Sequence, residues 1–374
     1  MKKIKMMITF LFLTACVNRQ EADYGKEEAH FPVDTIVWSD FTESDIEGAF
    51  PAKNLVQNKR YILLDSSEKY LFGAADKILF RDDIYVLDKR QKKIVVFDKL
   101  GNGMNVLHRL GQGPGEYLQI TDFSVAEDGT IYIVDGVSDK LMVYNNQCEF
   151  VSSKKLPFEV DIIQCLPNKN FLLGLSRWNT VGKTKGKRIV VASEDLTIKN
   201  IFLDFDEYYD DSYWISYYSF ASNGTNIFYN KPIEDMIYSF SNDGNLNKAF
   251  YVDFDNHRIP LDWRKDIESN MEAIKENYRC LKNQTIITDK YILGTLWDKT
   301  ETKPFIADRK NNRLYLNAAI ADSDISDIGD FWNSSIISLV YSGKYDNLEN
   351  LDLPISVRQH IENDNYVLCI TELL

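Results

Sequence analysis

Short runs of β-branched and aromatic residues follow one another along this chain, some of them alternating with polar residues, and are separated by polar or glycine-containing breaks. The stretch from Ile84, IYVLDKRQKKIVVFDKLGN, lies over the stretch from Ile131, IYIVDGVSDKLMVYNNQCE, without a gap and at an offset of 47 residues. Each copy reads as two antiparallel strands joined by a turn. The pattern returns with more drift at Asn226, where Ile227 to Ile237 matches Ile84 to Ile94 and Gly244 matches Gly101. Further copies open at Phe171 (FLLGLSRW) and Tyr291 (YILGTLW), and a last one at Ile336 (IISLVYSG) or at Tyr366 (YVLCITEL). A period in the forties made of short strands is the mark of a β-propeller, because one such unit cannot bury both faces of its sheet alone. The openings predict an all-β fold, a six-bladed β-propeller of four-stranded antiparallel blades, with a seventh blade left open.

One stretch breaks this rhythm. Asp262 to Tyr278 carries Trp263, Ile267, Met271, Ile274 and Tyr278 at helical spacing with charged residues between, which predicts one inserted amphipathic helix near 262–278. It is read as packing on the side or rim of the propeller, with partner binding as the other reading. The strand Thr35 to Trp38 is expected to complete the last blade and close the ring.

The first residues bear on location. A basic stub (Lys2, Lys3, Lys5) and a short apolar run precede Leu13-Thr14-Ala15-Cys16, a pattern that reads as a secretory signal too short to span a bilayer. Leu-Thr-Ala-Cys resembles the bacterial lipobox, which implies cleavage before Cys16 and a lipid on its sulfur. The expected organisation is a lipoprotein signal peptide over residues 1–15, a flexible polar tether over 16–31, and a single β-propeller domain over 32–374. Loss of residues 1–15, which hold three lysines and no acids, takes the formal charge from -13 to -16. Such a surface repels nucleic acid, so contact with the membrane is expected through the lipid anchor only.

Arg109 to Asn145, RLGQGPGEYLQITDFSVAEDGTIYIVDGVSDKLMVYN, resembles an NHL repeat. The glycine-rich turn Gly111 to Tyr117, the Asp128-Gly129 turn, Val134 to Asp135 and the strand Leu141 to Tyr144 carry the likeness. Ser138, Asp139 and Lys140 stand where the usual repeat has an asparagine and an arginine. The whole chain, lipobox included, is similar to the six-bladed propeller lipoproteins of Bacteroidota. That resemblance implies a lipid-anchored protein of the cell envelope, expected at the outer membrane, in a family most of whose members have no established biochemical activity.

Gly111, Gly113, Pro114 and Gly115 invite comparison with a phosphate cradle. Such a loop would follow a strand and open a helix, with a Lys-Ser or Lys-Thr after the glycines. Here a strand, a turn and a second strand follow, so the segment is read as a structural bend joining the outer strand of one blade to the inner strand of the next. Strands alternate in direction, which places this crossing on the face built by the loops between second and third strands. Arg109, Glu116, Arg177, Trp178, Trp297 and Asp298 are thereby expected on one candidate binding face, where tryptophans beside charges suit a sugar ring or a peptide. The same tryptophans can instead pack beneath neighbouring loops.

Catalytic sets are thin. The four histidines (His30, His108, His257, His360) lack metal-binding spacing, no G-x-S-x-G is present, and the cysteines form no C-x-x-C pair. Asp204 to Trp214 and Asp322 to Trp332 are acid-rich without the spacing of a calcium loop, and read as solvated loops. Neither a cofactor nor a metal is expected, and the catalytic residues are unknown. The leading expectation is a non-enzymatic propeller that binds an envelope protein, peptide or glycan. The alternative is a hydrolase or lyase acting on a glycan or peptide with a metal at the central channel, its residues scattered along the chain.

Overall fold

In the computed structural model the paired runs form hairpins that assemble into six sheets, each built on four antiparallel strands. The structure describes residues 31–43, 55–205, 220–230, 234–282, 285–298, 301–316, 328–344 and 353–374. The signal region, Cys16, most of the tether and most of both acid-rich segments lie outside the described residues. Pro32–Leu374 forms one compact unit. Blade 1 shows the plan, running from the channel outward as Lys77–Phe80, Ile84–Asp88, Lys93–Phe97 and Gly103–Leu107.

Burial explains the two kinds of run. Middle strands are sandwiched between neighbouring blades, so Ile84–Asp88 and Phe171–Leu175 are buried throughout and read as continuous apolar segments. Outer strands have solvent on one side, and Phe150–Lys155 alternates between half-buried and exposed. The apolar clusters accordingly sit between blades. Tyr85, Leu87 and Val96 of blade 1 pack with Phe123, Ile133 and Met142 of blade 2, while Ile78, Val86 and Val95 meet Ile337, Leu339 and Leu368 on the other side.

Closure differs from the expectation. The strand that completes the last blade is Val56–Leu63, which pairs antiparallel with the C-terminal strand Val367–Leu373. Val33–Val37 instead adds in parallel to the outer strand of blade 4, Leu246–Asp253, and Thr42–Glu43 adds in parallel to Arg313–Leu316 of blade 5. The apolar run near Thr35 carries a strand signal without naming a partner. Its anchor is Trp38, 6% exposed, whose ring centroid lies 4.9 Å from that of Phe254 and 5.3 Å from that of Phe305. The two alternative last openings fall in one blade, Ile336 in its second strand and Tyr366 just before its third, and the described residues form six sheets.

A 3-10 turn, Trp263–Lys265, leads into helix α1, Ile267–Asn277, inserted between blades 4 and 5 as its spacing predicts. The Asp266 side chain caps the helix by accepting the Ser269 N–H at 3.1 Å. A second helix, α2 (Ile355–Glu362), interrupts blade 6 between its second and third strands and buries only Val357 and Ile361. That short apolar stripe is too weak a signal to be found in the sequence. Among the described residues, no helix is long and apolar enough to cross a membrane.

The two faces of the disc are built differently. On one, the third-to-fourth strand turns of blades 1 to 4 are alike, with Gly101, Cys148, Leu196 and Gly244 at positive φ. Each donates its N–H to the carbonyl three residues back, on Asp98, Asn145, Ser193 and Ser241 respectively. The opposite face receives the described crossings from blade 1 to 2, 2 to 3, 4 to 5 and 6 to 1, together with both helices.

Candidate functional site on the loop face

The glycine crossing lies on the loop face and is spent on itself. Gly111 donates its N–H to the Tyr117 carbonyl at 3.1 Å, and Gly113 donates to the Glu116 carboxylate at 2.8 Å. A Cβ on Gly111 would stand 1.9 Å from Glu116 Oε2, and one on Gly115, at φ +76°, would stand 2.6 Å from the Phe150 ring. Close approach therefore requires both glycines. The Gly111, Gly113, Glu116 and Tyr117 amides already have acceptors within the segment, and Glu116 turns inward to cap its own loop. Arg109 is exposed at the start of the crossing. Buried Tyr117 fixes the segment from below, its hydroxyl 2.9 Å from the Lys92 carbonyl and 3.1 Å from that of Leu107.

Two buried aspartates repeat the same fastening. Asp88 accepts from the Gly73 and Ala74 amides at 2.7 and 3.2 Å and from Gln91 N–H at 2.7 Å. Asp135 accepts from the Leu118 amide at 2.9 Å and from the Ser138 hydroxyl at 2.6 Å. Each carboxylate ties its own blade's loop to the crossing that enters that blade. Hydrogen bonds to a charged acceptor are worth about 1.5–3 kcal/mol each, enough to hold these loops in one arrangement.

Blade 3 presents a longer loop, 176–186, organised around Asn179 at 3% exposure. The Asn179 amide donates to Thr184 O and Oγ1 at 2.9 and 3.0 Å, and its carbonyl accepts the Glu159 N–H at 3.3 Å. This loop pushes Trp178 out to 66% exposure, with the Arg177 guanidinium 5.5 Å from the ring centroid. Near the loop-face end of the innermost strand of this blade, burial pushes the Asp161 carboxyl up to about 6, with the Glu159 charge adding to the effect and the Ser176 hydrogen bond and Lys89 opposing it.

Trp297 and Asp298 occupy the corresponding place in blade 5 and meet another environment. Trp297 is half-buried against the cluster of Ile259, Ile267, Ile274 and Cys280 formed with α1, and its indole N–H is buried without a hydrogen-bond partner. Asp298 is 3% exposed and takes Arg279 Nε at 2.7 Å and Lys303 Nζ at 3.0 Å. Burial alone would raise its carboxyl, but the hydrogen bonds and charges of Arg279 and Lys303 outweigh that and hold it below its ordinary value. The structure thus places Arg109, Arg177 and Trp178 in solvent, turns Glu116 inward, and covers Trp297 and Asp298.

The channel wall holds charged residues that the sequence reading missed. Lys77 Nζ lies 2.8 and 3.0 Å from the two Asp122 oxygens and 2.7 Å from the Phe123 carbonyl, while Asp122 also accepts the Ile163 N–H from blade 3 at 2.9 Å. Asp330 of blade 6 accepts the Phe80 N–H at 2.8 Å and pairs with Arg81 at 2.6 Å. Both aspartates stand in Asp-Phe pairs, Asp122-Phe123 and Asp330-Phe331, the one local signal that could have marked them. They stitch the innermost strands of adjacent blades. Among the described residues, no three His, Cys, Asp or Glu side chains are grouped to hold a metal. The thiols of Cys148, Cys165, Cys280 and Cys369 are unpaired with one another.

A family model described as a domain of unknown function, DUF4934, matches residues 40–372. No curated protein matches the sequence. Among solved structures, a Bacteroides fragilis protein described as one expected to be exported is 18% identical with a TM-score of 0.70, covering 91% of this chain and 99% of its own. A member of the DUF4221 family from Bacteroides vulgatus is 10% identical with a TM-score of 0.52, covering 86% of this chain and 99% of its own. At these identities the likeness establishes the fold.

Proposed function

The chain belongs to the DUF4934 family, and on that footing we propose that it is an exported, lipid-anchored propeller of the cell envelope that binds a partner on its loop face and performs no chemistry. The observation that carries the binding reading is Trp178, a large aromatic held 66% exposed by a loop that the buried Asn179 and Thr184 side chains fasten from beneath. Exposing such a ring costs burial worth about 1.5–3 kcal/mol, an expense that a contact surface justifies. The hydrolase or lyase reading requires acid, base and metal-binding groups converging at a channel mouth. The channel-wall acids Asp122 and Asp330 are instead engaged by Lys77 and Arg81.

Anchoring is supported by the lipobox-like Leu13 to Cys16, and export by the same pattern and by the description of the Bacteroides fragilis structure. Acyl chains contribute about 0.8 kcal/mol per buried methylene, which holds a multiply acylated protein on its membrane. Labelling with a palmitate analogue is expected to mark the wild-type chain, and Cys16→Ser is expected to abolish the label and release the protein from the membrane fraction. Persistent label in that variant overturns the anchor. The binding reading is tested by retention of envelope components on immobilised protein, which Trp178→Ala is expected to reduce; unchanged retention overturns the role of this face.

A further inference from the structure

The loops over blades 1 to 3 form one continuous platform. Tyr117 of the glycine crossing meets Lys92 of blade 1, Leu118 binds Asp135 of blade 2, the Leu156 amide donates to the Asp139 carbonyl at 2.8 Å, and Ser176 donates to the Glu159 carbonyl at 3.0 Å. Each loop is therefore fastened to the next, and the platform is preorganised.

Its exposed surface is richer in large apolar side chains than the opposite face. Leu71, Leu110, Val137, Trp178 and Val181 are large apolar side chains, each at least 46% exposed. Among the described residues, the opposite face exposes Leu100 and the terminal Leu374 to this degree, while Val33 and Val151 lie on outer strands and Leu261 and Ile355 lie on the loop face beyond blades 1 to 3. In a chain of net charge -13, the exposed ionic residues of these platform loops are basic by six (Lys69, Arg90, Arg109, Arg177, Lys183, Lys185) to three (Glu68, Asp76, Glu159). A basic, apolar island on an acidic body favours one polarity of partner and repels the other.

We propose that this platform docks an acidic protein surface, with Trp178 as the aromatic anchor and the basic residues around it setting orientation; the proposal rests on the binding reading above and names its partner class. Charge complementarity supplies the acidic character. The aliphatic side chains decide between protein and polysaccharide. Leu110, Val137 and Val181 offer no donors or acceptors to sugar hydroxyls, whereas a protein interface pairs such positions with apolar side chains inside a polar rim.

The test places p-benzoylphenylalanine at Val137 or Val181, or at Leu100 on the opposite face, in the full chain expressed in its own cells. Ultraviolet crosslinking is expected to give protease-sensitive adducts from the first two positions and none from Leu100. Mass spectrometry of the adducts is expected to find peptides with clustered Asp and Glu beside apolar residues. Combining Lys183→Glu with Lys185→Glu is expected to lower adduct yield roughly ten-fold while the melting temperature stays unchanged, because rim charges act mainly on encounter. Protease-resistant adducts removed by glycan depolymerisation, peptides without an acidic excess, or a yield indifferent to charge reversal overturn the acidic-protein partner and leave binding at this face standing. Absence of adducts from both loop-face positions, or equal adducts from Leu100, overturns the binding reading together with the proposal.

Discussion

Trp178 and Trp297 close nearly the same phrase in two copies of the repeat, FLLGLSRW and YILGTLW, and both end up at the loop face. One is 66% exposed on blade 3. The other lies half-buried on blade 5 beside the cluster that α1 builds. The difference arises outside either repeat. Blade 5 is entered through an inserted helix that folds over it, whereas blade 3 is entered by the short crossing from Lys155 to Val160. Position in the repeat determines the face on which a side chain emerges, and the neighbouring insertion determines whether solvent or protein meets it there.

The largest expected effect lies on the covered side. Asp298→Ala leaves Arg279 and Lys303 without the buried carboxylate that both engage, and removing one partner of such a network costs about 3–5 kcal/mol. Urea denaturation is expected to show a lower midpoint at unchanged slope. A loss below about 1 kcal/mol would mean that Glu43, 3.0 Å from Arg279, suffices alone, and the covered side would be less dependent on its ions than the open one. Trp297→Ala comes next. It opens a void in the helix-to-blade contact, and tryptophan truncations in packed sites cost about 3 kcal/mol or more; relief of the unsatisfied indole N–H offsets part of that. The expected midpoint shift is smaller than for Asp298→Ala and sharpens the contrast with blade 3.

A pH experiment probes the open side. Asp161 titrates near 6 in the folded chain against an ordinary value of 3.8, so the folded state holds more protons than the unfolded state between those values. Stability consequently falls as pH rises through that window, and the cost is complete above about pH 6. Asp161→Asn removes the charge and keeps an acceptor for the Ser176 hydroxyl. The variant is expected to exceed the wild type by about 1–2 kcal/mol at pH 7 and to match it near pH 3.5, measured by denaturation at each pH. An equal gain at both values would trace the effect to packing instead of charge.

How far the sequence could be read follows from where each signal resides. The blades were legible because sandwiching between neighbours leaves its record in the strand itself, and the runs opening at Ile84, Ile131, Phe171, Ile227, Tyr291 and Ile336 all form second strands. Helix α1 was legible for the same reason, since its apolar stripe is local. Ring closure was not, because Val33–Val37 and Val56–Leu63 carry similar strand patterns and only the partner strands distinguish an added edge from a closing one. The site was legible only as a face. That Glu116 turns back onto Gly113 and that Asp298 is consumed by Arg279 depend on residues three and nineteen positions away that no repeat alignment links. Lys183 and Lys185 escaped notice because loop 176–186 has no counterpart of equal length in blades 1 and 2, where the corresponding loops are 89–92 and 136–139.

The smallest stability effect is expected where the functional effect is greatest. Trp178→Ala removes a ring that touches solvent over most of its surface, and substitutions at such positions stay within about 0.5 kcal/mol. The loop does not rely on the ring for its shape, because Asn179 and Thr184 hold it from beneath and the Trp178 backbone N–H bonds to Ser176 Oγ at 3.3 Å irrespective of the side chain. The variant is expected to denature with the wild type while losing retention of envelope components, the reverse of Trp297→Ala, which unfolds more readily with its loop face over blades 1 to 3 unchanged. A Trp178→Ala protein that melts earlier than the wild type would show the ring packed against its neighbours in solution, and the two tryptophans would then differ in degree of cover instead of in role.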